Sequence, residues 1–373
     1  VKMRMLLDKI SLVLVAAGAL ALGAGCDDSR VKERKQLLGD MARLLIVPTY
    51  DDFATTSGAL KDAATAFEAA PTVDGLKAVR EAWRKARAPW KRSETFNVGP
   101  AETQRINPAV DSFPPDPARI EEVVAATTPL ADSDVEALAA GQRGFLALEV
   151  LLFDPARSDE MVVADLAAST RRRQVVTALA TNIANRAAQL RDAWKPAFTA
   201  ELESAGSGST TYTTQKQALD ALMNRMIYLV DKVATVRLAR PLGIMMAGTM
   251  PLDEEAPRSD NSLVDLTNNL KGVEAEYLGT YAAPATANTP ATPTISTLVA
   301  RAQASADQHA REQIADALAK LQAVPQPMRL QLAADPAPLN AAYEAVRLLR
   351  TTLTTEVAGV LGVTLKFGDN DGD

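Results

Sequence analysis

A chain of 373 residues, 47% hydrophobic and 23% charged, has the make-up of one large or two ordinary globular domains rather than of a disordered segment. Aromatic residues are only 5%, alanine and leucine dominate, and β-branched runs are scarce, which favours helices packed on helices over sheets. A net charge of -6 with short, interrupted basic clusters ("RVKERK", "RKARAPWKR", "RRR") excludes a basic nucleic-acid stripe, so nucleic acid is not an expected partner.

The first 26 residues, "VKMRMLLDKISLVLVAAGALALGAGC", combine a basic start, a short apolar run and small residues before a cysteine. This is the layout of a bacterial secretion signal, and "LGAGC" resembles a lipobox. The expectation is a signal peptide over residues 1–25, with Cys26 as the lipidated first residue of the remaining chain. Cys26 is the only cysteine, so no internal disulfide can use it, and lipidation gives it a purpose. A lipid there anchors a protein to a membrane face without spanning it. The expected location is thus the cell envelope, on the periplasmic side, with inner and outer membrane both open. No later segment reaches the roughly 18 consecutive apolar residues of a membrane-spanning helix.

Helical patterning runs from about residue 30 to 70, with an expected break at "VPTYDD". A further helix is predicted over residues 73–94, where Leu76, Val79, Ala82, Trp83, Ala86 and Trp90 recur at spacings of three and four. "NVGP" ends it. Residues 107–117, "NPAVDSFPPDP", are too rich in proline for regular helix. Helices are predicted again over 118–126, 132–153 and 158–203. "ESAGSGST", with its glycine and serine, reads as a linker. Beyond it, helices are expected over 213–239, 262–277, 295–324 and 338–361, separated by irregular stretches at 240–261 and at "AAPATANTPATPT". The expected architecture is all-α: a first four-helix-like bundle over 26–203, a linker at 204–210 and a second bundle over 211–373.

Five blocks in order, "EAWRKARAPWKRSETFNVGP", "INPAVDSFPPDPARIE", "GFLALEVLLF", "SDNSLVDLTNNLKG" and the terminal "LGVTLKFGDNDGD", resemble the imelysin-like family, peptidase family M75. The resemblance covers nearly the whole chain beyond the signal. It implies two helical bundles, export in bacteria, frequent lipid anchoring and association with iron uptake. It also implies a G-x-H-x-x-E motif that holds a metal. On that pattern Gly144 and Glu149 match, but the histidine position is Leu146. Histidine and glutamate three apart share one helix face and can converge on a cation; leucine has no lone pair to offer.

The block "SETFNVGP" puts Ser93 and Glu94 at a helix end, and two readings stand side by side. Glu94 joins Glu149 at a polar site, with Ser93 nearby, or it is a surface residue at a helix terminus. A carboxylate pair without histidine suits a hard divalent cation better than zinc or ferrous iron, provided more oxygen ligands such as Asp116 join it. Glu149 also has a purely structural reading, as a buried ion-pair partner of Arg84, Arg87 or Arg92.

The only histidine, His309, forms a chance H-x-x-E with Glu312. The pair falls about 140° and 160° from the apolar ridge of Ile314, Leu318 and Leu321, and so faces water. "DNDGD" at 369–373 stops before the distant glutamate of a calcium loop and reads as an acidic tail. One cysteine and one solvent-facing histidine exclude Ser/His/Asp and Cys/His nucleophiles, and a histidine-based zinc peptidase does not fit. The expectation is a non-enzymatic exported lipoprotein with a ligand- or metal-binding role in iron acquisition, its metal a divalent cation or iron. Alternatives are a carboxylate-based metallopeptidase with Glu149 or Glu94 as general base, and an interaction lipoprotein without a metal site.

Overall fold

The computed structural model describes residues 30–244, 250, 253–280 and 293–366. The expected signal segment, Cys26 and the "DNDGD" tail lie outside these residues. Every regular element among the described residues is helical, and the fold is all-α.

Eight principal helices carry it: α1 (Val47–Ala69), α2 (Val73–Ser93), α3 (Gly144–Leu152), α4 (Thr170–Ala193), α5 (Gln215–Lys232), α6 (Ser262–Leu278), α7 (Ala304–Ala323) and α8 (Ala337–Thr352). Hydroxyl caps start three of them. Thr72 accepts from the Gly75 amide before α2, Ser169 from Arg172 before α4, and Thr214 from Gln217 before α5. The apolar stripe read from α2 is buried: Leu76, Val79, Trp83, Ala86 and Trp90 are all at zero exposure.

Four local expectations are corrected. "VPTYDD" does not break the chain, because Pro48 sits in the first turn of α1, where a missing N–H costs nothing, and a wider π-helical turn at Met41–Ile46 leads into it. The predicted helix over 132–153 is split. Gly144 has φ +81°, and a Cβ there would lie 2.4 Å from the Val110 carbonyl oxygen, so α3 begins afresh at a tight backbone crossing. The prolines of 107–117 leave one turn of helix, Ile106–Val110, with Pro108 in that turn. The helix predicted over 158–203 is α4 flanked by Asp159–Ala168, Trp194–Phe198 and Thr199–Glu203.

α2 packs against α1 on one side and α6 on the other, α1 also packs on α4, and α6 continues onto α7, which pairs with α8. The approach of α2 to α6 depends on Gly272, where a Cβ would stand 2.2 Å from the Arg92 carbonyl oxygen. The "SAGSGST" segment is a turn stitched by Glu201, which accepts from Ser209 Oγ, Thr210 Oγ1 and the Thr211 amide.

Candidate functional site

α3 is apolar on nearly all faces, so its one charge, Glu149, is carried into the core by its neighbours. The side chain is fully buried. Its Oε1 accepts from the Arg258 amide at 3.0 Å, the Ser259 amide at 2.8 Å and Ser259 Oγ at 2.7 Å. Oε2 has no hydrogen-bond partner. Burial pushes Glu149 up to about 7, against the pull of the Ser259 donors and of Arg87 and Arg258. Glu149 therefore fastens α3 to the turn at 258–259 that leads into α6, and it holds a proton readily near neutral pH. Glu254 stands close by. Burial, with repulsion from Asp260 and Glu149, pushes it up to about 7, against the pull of the Ser262 hydroxyl and of Arg329.

A second buried polar assembly lies along the α2–α6 seam. Arg87 Nε donates to Asp265 at 2.7 Å and Arg87 Nη1 to Asp111 at 2.6 Å, while Trp90 Nε1 donates to the other Asp111 oxygen at 3.0 Å. Lys91 Nζ contacts Asp111 at 2.5 Å and Glu255 at 2.7 Å. Arg237 reaches Glu94 at 2.9 Å and Asn269 at 2.6 Å, and Asn269 donates on to Glu94 at 2.8 Å. Burial alone would raise these carboxylates. Instead Arg237 and Lys91 hold Glu94 well below its ordinary range, and Arg87 with Lys91 brings Asp111 down to about 2. Asp265 goes the other way, to about 6, because burial outweighs the same two cations there.

The structure separates the residues singled out from sequence. Glu94 is not a surface residue; it is buried among Arg237, Lys91 and Asn269 and makes no hydrogen bond or ion pair with Glu149. Ser93 is buried and donates to the Trp90 carbonyl at 2.7 Å, which closes the end of α2. Asp116 is not a ligand neighbour of Glu149. It caps Pro117–Ala125 by accepting from the Arg119 amide, and about half of its side chain is exposed. None of Arg84, Arg87 and Arg92 is a direct ion-pair partner of Glu149: Arg87 goes to Asp111 and Asp265, Arg92 to Asp52 and Arg84 to the Ser259 carbonyl. His309 is exposed, with Nδ1 2.9 Å from Glu356, and Glu312 is exposed beside Gln308.

A histidine–glutamate metal site does not fit this arrangement. Leu146 is fully buried hydrocarbon, and three donors already engage Glu149 Oε1. No cluster of three His, Cys, Asp or Glu side chains able to hold a metal occurs among the described residues. The donor atom left free, Glu149 Oε2, and the neighbouring Glu254 carboxylate are all oxygen, a set that suits a hard cation and not zinc or iron(II).

The turn that Glu149 fastens forms one wall of a cleft of about 900 Å³. Val150, Leu151 and Phe153 follow from α3, Pro257 and Arg258 come from the turn, and Arg329 faces them. Sequence reasoning reached Glu149 but missed Ser259, Glu254, Asp111, Asp265 and Arg237. Asp111, Ser259 and Asp265 lie inside the quoted blocks "INPAVDSFPPDPARIE" and "SDNSLVDLTNNLKG", so block membership was the available signal.

Comparison with known proteins places the chain. The imelysin profile of peptidase family M75 matches residues 46–355. A relative, iron-regulated protein A of Synechococcus elongatus, is 29% identical over 281 residues, 73% of this chain and 72% of the relative. Among solved structures, a protein assigned as an iron-regulated protein A precursor from Parabacteroides distasonis superposes with a TM-score of 0.77 at 21% identity, covering 89% of this chain and 94% of its own. An imelysin-like protein from Psychrobacter arcticum superposes with a TM-score of 0.69 at 18% identity, covering 90% of this chain and 98% of its own. The chain belongs to the imelysin family, peptidase M75.

Proposed function

We propose that this chain is a non-enzymatic binding protein of iron acquisition, exported and held at the cell envelope by a lipid on Cys26, with the membrane and iron-uptake components as its partners. The iron context is supported by the relative named iron-regulated protein A. The observation that carries the non-enzymatic reading is the use to which Glu149 is put. A general base needs a lone pair facing substrate or an activated water. Glu149 instead spends Oε1 on Arg258 and Ser259 and is sealed from solvent, while Leu146 occupies the motif's histidine position. The carboxylate thereby shapes the wall of the 900 Å³ cleft, which is where a ligand would meet the fastened turn.

The test is incubation of the purified chain with an unfolded polypeptide, with and without chelator. No chelator-sensitive cleavage is expected; cleavage that disappears in Glu149→Gln would overturn the reading. A second reading, a hard cation between Glu149 Oε2 and Glu254, is favoured by the unpartnered oxygen. It requires calcium or magnesium to raise the melting temperature of wild type and not of Glu149→Gln, and the absence of any such difference removes it.

A further inference from the structure

A separate cleft of about 660 Å³ opens where the loop after Gln104 meets Arg143 and the side of α4. Its lining holds three guanidinium groups, Arg105, Arg143 and Arg186, and a single carboxylate, Glu136. That carboxylate pairs with Arg186 Nη2 at 2.7 Å, and Arg143 Nη1 donates to the Glu136 backbone carbonyl at 2.6 Å. The Nε atoms of Arg143 and Arg186 are buried and have no hydrogen-bond partner. Burial and the neighbouring Arg186, with Arg105 beyond it, push Arg143 below its ordinary value despite Glu136. Arg105 is exposed and is held at a left-handed φ of 50°, unusual for a residue with a side chain. Phe113, Pro108 and Pro114 supply apolar walls.

We propose that this cleft binds a small organic anion carrying two or more carboxylate or phosphate groups. Three cations against one carboxylate leave two charges uncompensated, so a ligand with one negative charge would neutralise only part of the excess. Planar guanidinium forks match carboxylate and phosphate oxygens in pairs. The volume lies in the range of small-molecule sites, far above that of a bare inorganic ion, and the proline and phenylalanine walls suit a carbon skeleton. The site is independent of Glu149 and of the role proposed for it.

The experiment is isothermal titration of the full chain with citrate, and in parallel with inorganic phosphate and with acetate, at low and raised salt. Citrate is expected to bind once per chain, to weaken with salt, and to bind at least about tenfold more tightly than acetate. Arg143→Gln and Arg105→Asn should each weaken citrate by about tenfold or more, asparagine being chosen because it tolerates the left-handed backbone. Glu136→Gln, which removes the one carboxylate in the lining, should tighten it, a gain that misfolding cannot imitate. No saturable citrate binding, unchanged affinity in the arginine variants, or phosphate binding without citrate binding would each overturn the assignment.

Discussion

Replacing Glu149 with glutamine takes a proton-binding group out of the core and leaves its hydrogen-bond acceptor in place. In the folded chain burial raises Glu149 to about 7, against an ordinary value near 4.5. Between those values the folded protein keeps a proton that the unfolded chain has released. The contribution of Glu149 to stability is therefore fully present below the lower value and is lost as pH rises through the upper one. The difference is worth about 3 kcal/mol between acidic and mildly alkaline solution. Glutamine retains an oxygen for Ser259 and Arg258 and places its amide where Oε2 has no partner, at a pH-independent cost of about 1–3 kcal/mol. Relative to wild type, Glu149→Gln should thus gain roughly 3 kcal/mol of stability between about pH 4 and about pH 8. Asp265 and Glu276 are also raised by burial, but they are present in both proteins and largely cancel in the difference; Glu254, raised in part by Glu149, falls in the variant and adds to the same gain. Urea denaturation followed by circular dichroism across this range measures the effect. If the two free energies change with pH in parallel, Glu149 is not a buried proton-holding group and the site has been misread.

The α2–α6 seam yields two further expectations. Arg87→Met leaves Asp265 buried without its guanidinium partner and Asp111 with Lys91 alone, and should cost about 3–5 kcal/mol in urea unfolding. A loss near zero would mean that the assembly adds nothing to cohesion. Gly272→Ala drives a Cβ onto the Arg92 carbonyl and should cost roughly 1–3 kcal/mol, whereas Gly58→Ala in α1, with nothing within 4 Å, should stabilise by up to about 1 kcal/mol. Equal melting temperatures for the two alanine variants would contradict the close packing of α2 on α6.

The helical fold was legible because apolar residues such as Leu76, Val79, Trp83 and Trp90 mark one face, and burial of that face needs no knowledge of the partner. The reading slipped at Pro48 and Gly144, where the same residue types serve a helix start or a break according to what the backbone meets. Pro48 opens α1, and Gly144 resets the chain at the Val110 carbonyl. Glu149 was conspicuous as a charge in an apolar helix, but its partners were not. Two of its three donors involve backbone amides, which carry no side-chain signature, and the third is Ser259, 110 positions away. The arginines expected for Glu149 lie on α2, but Arg87 pairs with Asp111 and Asp265 instead. Glu94 has the sequence of a helix-end residue because one of its two cations, Arg237, lies 143 positions further along the chain.

On the function proposed above, Glu149 fastens a cleft wall and does not ligate a transition metal. Elemental analysis of the purified chain, after exposure to zinc and to iron(II) and removal of excess by gel filtration, tests it most directly when wild type and Glu149→Gln are compared. Zinc and iron far below one equivalent per chain are expected in both, with no difference between them. Close to one equivalent in wild type, lost in Glu149→Gln, would contradict it and return Glu149 to the role of a metal ligand.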